Sequence, residues 1–352
     1  MIYTLTLLPL VIHSFLSMLK KDRNINLNYL AFVFVIILIL IAGLRDGTGT
    51  DTKTYASIWR NILPFDEYLI YGYTGRDYLE PGFRIFVSIL KMFTVSSITF
   101  FIIMASITLG FLYAGLRKIP QINLLLAIAM YLMIFYMPYT LNAMRQAVAM
   151  SIFIFVLPNI LNAEFKKTFF WTLLAASFHS VGFLIILAYI VAQSKVKLLP
   201  FIFSGLVFSA LFYYFKVLKH FLDIISPGLY SLFVDNENWG SVDLVQIVLR
   251  FLILASLVFS ALFVYKQSWF SKLVMVYSIG FFIYIALAES NMLAARFNLF
   301  FRILEVVMFP IIVVSANKFS YRFLYFVIAL TFGIYTFYIN LLNEDNIYVS
   351  IF

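Results

Sequence analysis

The sequence predicts an all-α polytopic membrane protein with about ten full transmembrane helices and two partial helices, which are re-entrant or interfacial. Hydrophobic residues make up 64% of the 352 residues, and charged residues make up 12%, against about 25% charged in ordinary soluble proteins. The apolar residues also form long runs, and about 20 apolar residues in a helix cross the hydrocarbon core. A soluble fold cannot bury this much apolar surface, so the lipid bilayer is the expected solvent.

The ten predicted full spans are apolar runs of roughly membrane-spanning length, separated by polar loops. Their Lys- and Arg-rich connecting loops are assigned to the cytoplasm by the positive-inside rule, which puts both termini outside. The spans are 1–19, 27–44, 98–116, 121–141, 144–161, 199–215, 243–265, 271–288, 293–315 and 323–342.

Two further apolar stretches are expected to enter the membrane only partly. Residues 82–94 are too short to span and carry Arg84, whereas residues 168–192 are long enough but are interrupted around Ser177 and His179. If 168–192 crossed fully, several basic loops would move to the outer side, against the positive-inside rule. We therefore predict one transmembrane domain over residues 1–352, with outer loops at about 45–81, 216–242 and 289–292.

Composition excludes several kinds of site. The chain has no Cys, which rules out disulfides, thiolate nucleophiles and Cys-ligated metal centres. It has only three His, scattered along the sequence, so we expect no metal site and no cofactor. The formal net charge is +9, but the basic residues lie mostly in loops that the positive-inside rule assigns to the cytoplasm, so nucleic acid is not an expected partner.

A glycine-rich turn opens the first outer loop, after the span 27–44. Three Gly among hydroxyl residues expose backbone N–H groups that can cradle anionic oxygens, and Arg45 and Asp51 flank this turn. The spacing matches no dinucleotide or Walker A fingerprint. The alternative is a tight turn at a helix exit with a local Arg–Asp pair.

The stretch Glu80-Pro81-Gly82-Phe83-Arg84 predicts the first turn of a short helix, because Pro suits the first helical position. In one interpretation, Glu80 is a helix cap whose negative charge interacts with the positive end of the helix dipole, and Arg84, four residues on, is its surface partner. Alternatively, the short helix dips into the membrane and presents Glu80 and Arg84 to a cavity.

Arg145 and Gln146 stand where one span ends outside and the next begins. An Arg near a helix end can extend to the lipid headgroups, which is the structural interpretation. The functional interpretation is that the planar guanidinium fork of Arg145 binds phosphate.

His179 lies at the interruption of the 168–192 stretch. A lone His on an apolar face is usually a hydrogen-bonded structural residue. Its position at a helix break also fits a polar site built from interrupted helices, and histidine is suited to proton transfer near neutral pH.

Arg250 and Arg296 lie near the outer ends of two later spans. Together with Arg45, Arg84 and Arg145 they put five arginines at the outer side, where the positive-inside rule predicts few. Such a group requires an anion, and a lipid-linked phosphate or pyrophosphate is the natural one.

Four motifs in order carry a family resemblance: GLRDGTGTDTKTY at 43–55, LEPGFRIF at 79–86, NAMRQAVAMSIFIF at 142–155 and ASFHSVGFLIIL at 176–187. They resemble the EpsG family, which belongs to the Wzy-type polysaccharide polymerases, including O-antigen polymerases. The likeness extends more loosely through ARFNLFFR at 295–302.

The resemblance implies a GT-C-like glycosyltransferase of the bacterial cytoplasmic (inner) membrane, with its active site on the outer side. It would polymerise oligosaccharide repeat units carried on undecaprenyl pyrophosphate, with a chain-length regulator protein as a candidate partner. The arginines would stabilise the departing pyrophosphate. Asp51, Glu80 or His179 could supply the base, and we favour His179 or Asp51, with Glu80 orienting the substrate. Tyr55 could stack on a sugar, although an interfacial aromatic belt explains it equally well.

Two alternatives remain open. An O-antigen ligase uses the same pyrophosphate chemistry, and only the resemblance separates it from a polymerase. A flippase or transporter of the lipid-linked unit predicts internal repeats and charges lining a path from both faces. In this chain, the charged residues that the positive-inside rule does not explain lie together at the predicted outer face instead.

Overall fold

The computed structural model describes residues 2–19, 25–71, 79–225 and 240–351. These residues form α-helices with short π- and 3-10 segments, and no β-strand occurs among them. The α-helices are α1 (Ile2–Leu19), α2 (Ile25–Gly43), α3 (Thr52–Asn61), α4 (Phe65–Tyr71), α5 (Pro81–Lys91), α6 (Ser97–Arg117), α7 (Leu124–Tyr131), α8 (Met144–Leu161), α9 (Phe165–Phe178), α10 (Leu184–Ala192), α11 (Leu198–Tyr214), α12 (Val217–Ile225), α13 (Leu244–Phe259), α14 (Ser268–Ala286), α15 (Asn291–Arg302), α16 (Glu305–Ser315) and α17 (Phe319–Leu342).

Two of these helices continue directly into π-helices, α7 into Leu132–Asn142 and α13 into Ser260–Val264. The chain forms two compact units: the first comprises Met1–Ile186 and Glu305–Phe352, and the second comprises Leu187–Leu304. The single transmembrane domain predicted from the sequence stays a prediction.

The core of the first unit is the α7 helix with its π-helical continuation. Every residue of α7 is buried, as expected for a helix that is apolar on all sides. Helix α16 packs against α7 and α17, and α6 packs against α2 and α8. In the second unit, α14 is the central helix and packs against α11, α13 and α15.

Peripheral helices expose large apolar side chains. On α1, Leu5, Leu8, Ile12 and Leu16 form one exposed stripe. Such a stripe is the surface that acyl chains cover in a membrane protein.

Among the described residues, eight helical stretches are long and apolar enough to cross a membrane, and they correspond to eight of the ten predicted full spans. The other two predicted spans, 27–44 and 199–215, are apolar helices of fewer residues. The chain is therefore a multi-pass membrane protein by length and composition of its helices, and the total of ten spans stays a prediction.

Both stretches that were expected to be partial are short or interrupted. Helix α5 has 11 residues, which is about 16 Å of helix and less than a bilayer core. Helix α9 ends at Phe178, and after His179 a 3-10 segment, Ser180–Phe183, leads into α10. The chain thus breaks at the position that the sequence predicted.

The predicted outer loop 45–81 contains two short helices, α3 and α4, before α5 begins. Helix α12 belongs to the predicted loop 216–242, of which residues 226–239 lie outside the described residues. The predicted loop 289–292 contains the start of α15.

Candidate functional site

Glu80 and Arg145 form an ion pair between α5 and α8, in which Arg145 Nη1 donates to Glu80 Oε2. The second carboxylate oxygen of Glu80 accepts a hydrogen bond of 3.1 Å from the backbone N–H of Ser180. Both side chains keep some exposure, 19% for Arg145 and 17% for Glu80. One carboxylate therefore joins the starts of two helices to the break that follows α9.

Helix α5 begins as the sequence predicts, with Pro81 in the first turn and Glu80 at the N-cap position in extended conformation. The Glu80 side chain makes no capping hydrogen bond to its own helix. It reaches α8 and the break after α9 instead, so the capping interpretation does not describe it. Arg84 lies one turn further along α5 and is partly buried.

Gly82 allows α5 to pack closely against the end of α9. A Cβ at this position would lie 2.8 Å from the carbonyl oxygen of Ser177 and would also clash with its side chain. Because glycine has no Cβ, the two helices can approach until the Glu80 carboxylate reaches the amide of Ser180. The glycine therefore determines where Glu80 lies.

His179 lies in the break itself, in extended conformation between α9 and the 3-10 segment. Its Nδ1 accepts a hydrogen bond of 3.3 Å from the backbone N–H of Val181. In the neutral ring the proton is then on Nε2, because a nitrogen that accepts a hydrogen bond cannot also carry the proton. His179 is thereby oriented as a hydrogen-bond donor through Nε2.

Tyr55 approaches the same cluster from α3. Its hydroxyl oxygen is 3.5 Å from the backbone N–H of Arg145, which donates to it, and its ring meets Phe83 edge-on. Tyr55 is 5% exposed, so its ring packs inside the protein rather than offering a face for a sugar. Burial raises the pKa of Tyr55 and favours the neutral hydroxyl, against a smaller lowering by Arg145.

Phe83 is a central residue of this cluster that the sequence analysis did not select. It is fully buried, and the Arg145 guanidinium lies 5.6 Å from its ring centroid. This contact adds a cation–π interaction to the ion pair and fixes the orientation of the guanidinium. The available signal was its position three residues after Glu80, within the same short motif.

The Arg45 guanidinium is bound by groups of the protein itself. Its guanidinium donates to the carbonyl oxygens of Ala42 and Leu141 and to the hydroxyl of Thr52, and lies 4.4 Å from the ring centroid of Phe101. The residue is 2% exposed. Burial lowers the pKa of Arg45 to about 10, so the side chain stays cationic at neutral pH. Its N–H groups form hydrogen bonds within the protein.

The glycine-rich turn is also engaged internally. The backbone N–H of Asp46 donates to the carbonyl oxygen of Val349 at 2.8 Å, and the backbone N–H of Gly49 donates to the carbonyl oxygen of Asp345 at 2.6 Å. Gly49 has a φ of +98°, a conformation that favours glycine. These two amides bind carbonyl oxygens of the C-terminal segment, contrary to the anion cradle that the sequence suggested.

Asp51 ends this turn and precedes α3. Its backbone N–H donates to Asn142 Oδ1 at 3.3 Å, and its side chain makes no capping bond to α3. Asn142 also donates to Met137 at 2.9 Å and accepts from Thr50 at 3.0 Å. Because Asn142 lies two residues before the start of α8, its amide side chain connects the Asp51 turn to the beginning of the helix that carries Arg145.

Gln146 follows Arg145 on α8 and is 4% exposed. The remaining predicted arginines, Arg250 and Arg296, belong to the second unit. There the Arg250 guanidinium lies 3.6 Å above the ring of Tyr284, and Arg296 is exposed on α15. The predicted gathering of five arginines around one anion therefore stays a prediction. Among the described residues, no three His, Asp or Glu side chains converge as a metal site requires.

Searches for similar curated proteins and for similar solved structures gave no match. A model of the EpsG family matches residues 28–351, a range that includes every site residue described above. The match covers most of the chain, and the protein therefore belongs to the EpsG family.

Proposed function

We propose that this protein is a Wzy-type polysaccharide polymerase. It joins oligosaccharide repeat units carried on undecaprenyl pyrophosphate into a surface polysaccharide, at the outer face of the bacterial cytoplasmic membrane. Membership of the EpsG family suggests a polysaccharide-polymerase-like membrane protein, and the many apolar helices suit a lipid-linked substrate. The centre of the proposed site is the cluster of Glu80, Arg145 and His179, which we call the carboxylate cluster.

The observation that carries the proposal is the unused donor capacity of Arg145. Its Nη1 binds Glu80, but its Nε is buried and has no hydrogen-bond partner among the described residues. A buried donor without a partner costs free energy, which a phosphate oxygen would recover. A guanidinium can bind an anion through two parallel N–H groups, so Arg145 can hold Glu80 and a pyrophosphate oxygen at once.

The proposed reaction is a single displacement. A hydroxyl oxygen of the acceptor unit forms a bond to the anomeric carbon of the donor chain, and the bond from that carbon to the pyrophosphate breaks. The electron pair leaves with undecaprenyl pyrophosphate, and the hydroxyl proton passes to a base. Arg145 stabilises the negative charge that develops on the leaving pyrophosphate, which is the part of the reaction that fixed cations accelerate.

The contacts of the candidate bases favour Asp51. Both Glu80 oxygens already accept hydrogen bonds, and the Nδ1 of His179 accepts one from Val181. The Asp51 carboxylate forms no ion pair or hydrogen bond within the described residues. We therefore assign the base to Asp51, the orientation of Arg145 to Glu80, and a hydrogen bond to the substrate to His179 through Nε2.

The test is a reconstitution. The purified protein is placed in lipid nanodiscs with a synthetic undecaprenyl-pyrophosphate-linked repeat unit, and the products are separated by size. A ladder of chains, together with release of undecaprenyl pyrophosphate, is the expected result. The Arg145→Ala variant, assayed at a temperature well below its own unfolding midpoint, is expected to give single units.

The same reaction separates the alternatives when a lipid A core acceptor is added. A ligase would leave the repeat units unextended and transfer them to the core. A flippase would give no new glycosidic bond but would move the lipid-linked unit across a vesicle membrane. Either of these results would overturn the polymerase proposal.

A further inference from the structure

A cavity of about 500 Å³ lies beside α3, away from the carboxylate cluster. This volume falls within the roughly 300–1,000 Å³ that is usual for small-molecule sites. Two of its lining residues are cations, and neither had a role in the proposed reaction. The lining residues are Lys53, Ala56, Trp59, Arg60, Val95 and Ser97.

The two cations are directed to the same side of α3. Lys53, Ala56 and Arg60 recur at intervals of three and four residues, which places them on one face of the helix. Both charged side chains are exposed, and neither forms an ion pair or hydrogen bond within the described part of the chain. The cavity therefore has uncompensated positive charge.

The wall of the cavity is rigid. The Trp59 ring stacks on Phe100 at a centroid distance of 5.2 Å, and its Nε1 donates to the carbonyl oxygen of Val95 at 3.1 Å. The Lys91 ammonium lies 5.8 Å from the centroid of the same ring and donates to backbone carbonyls. Trp59 thus holds the segment before α6 against α3, and the charge of Lys91 is partly offset by Glu67.

The α3 side of the cavity is polar. The exposed residues of α3 are Lys53, Thr54, Arg60 and Asn61, whereas the lining residue Val95 is apolar and 92% exposed. Because both cations lie on the polar side, an anion that enters from water meets them directly, which favours a soluble saccharide group over a phospholipid headgroup.

We propose that the Lys53–Arg60 cavity binds the carboxylate of an acidic sugar in the saccharide chain. This inference rests on the proposed function, because the saccharide chain that carries the sugar is the one being polymerised. Tyr55 and Arg60 are five residues apart, about 7.5 Å along α3, and Tyr55 touches the carboxylate cluster. Tyr55 and Arg60 lie on different faces of α3, one buried and one exposed. A sugar further along the saccharide chain than the reacting end would therefore occupy the cavity, which would make the protein selective for anionic repeat units.

The test measures binding, so that it does not depend on polymerisation. The protein is placed in phosphatidylcholine nanodiscs and titrated with a trimer of galacturonic acid, with maltotriose as the neutral comparison. We expect saturable binding of the acidic trimer, weakened by salt, and no binding of maltotriose. The Lys53→Gln/Arg60→Gln variant should bind the acidic trimer roughly tenfold more weakly.

A matched variant, Lys195→Gln/Lys197→Gln, removes two exposed charges from the loop between α10 and α11. It should bind as the wild type does. The proposal would be overturned if both double variants lost the same affinity for the acidic trimer, or if the wild type bound the acidic and neutral trimers equally well. Competition by phosphatidylglycerol in the nanodisc, or by inorganic phosphate at the same concentration as the trimer, would also overturn it in favour of a phosphate site. A protein that polymerises but fails these tests would leave the proposed function intact.

Discussion

The Glu80 carboxylate is paired with the Arg145 guanidinium, and the two residues are 65 positions apart in the sequence. Glu80 directly precedes α5 and Arg145 is the second residue of α8, so the pair links the starts of these two helices. The same carboxylate holds the amide of Ser180 in the break after α9. A single acidic side chain therefore joins the three elements that carry Glu80, Arg145 and His179.

The first prediction concerns the geometry of Arg145. Arg145→Lys keeps a positive charge for Glu80 but loses the second N–H group that would bind pyrophosphate, so polymerisation should fall about 100-fold or more. The rate of ladder formation by the reconstituted protein measures this. A lysine variant with wild-type rates would show that charge alone suffices and that the fork has no role.

The second prediction concerns coupling between Glu80 and Arg145. Removing one partner leaves the other partly buried charge unpaired, so Glu80→Gln and Arg145→Gln should each destabilise the protein. The loss of unfolding free energy in the double variant should be about 1–2 kcal/mol smaller than the sum of the losses in the two single variants. Thermal unfolding of the four proteins in one detergent measures the coupling, and additive effects would argue against the pair.

The third prediction concerns Gly82. Adding a methyl group by Gly82→Ala forces α5 away from Ser177, which should cost about 1–3 kcal/mol of stability and lower activity further by displacing Glu80. Gly110→Ala is the matched control, because a Cβ there meets nothing within 4 Å. The control should be neutral or more stable by about 0.5–1 kcal/mol. Similar behaviour of the two variants in thermal unfolding would mean that α5 does not depend on close packing.

The fourth prediction separates two roles of His179. If Nε2 donates to the substrate, His179→Gln keeps a donor amide and should retain more activity than His179→Ala, with an unchanged pH profile. If His179 were the base, both variants would be equally inactive. Initial rates of both variants between pH 5.5 and 8.5 distinguish these outcomes.

Much of the fold follows from the sequence because hydropathy is a local property. The run predicted at 98–116 is the helix Ser97–Arg117, and the run at 144–161 is Met144–Leu161. The break at His179 was also predictable, since the polar residues that flank it interrupt an apolar stretch. In each case the information lies within about twenty consecutive residues.

The site was less predictable because it depends on contacts between distant residues. An arginine at a helix exit has the same sequence signature whether it binds a ligand or protein carbonyls, and Arg45 does the latter. The amides of the glycine-rich turn are bound by a segment about 300 residues later. No periodicity in the sequence encodes such a contact, whereas Glu80, Arg145 and His179 were selected as unexplained polar groups in apolar surroundings.

The most direct measurement is the affinity of a soluble polyprenyl pyrophosphate, such as geranylgeranyl pyrophosphate, for the wild type and for Arg145→Gln by isothermal titration calorimetry. Arg117→Gln, at the last turn of α6, is the control that loses one exposed cation elsewhere. We expect Arg145→Gln to lose affinity by a factor of about ten or more and the control to lose none. Equal affinity of all three proteins would contradict the claim that Arg145, oriented by Glu80, binds the pyrophosphate.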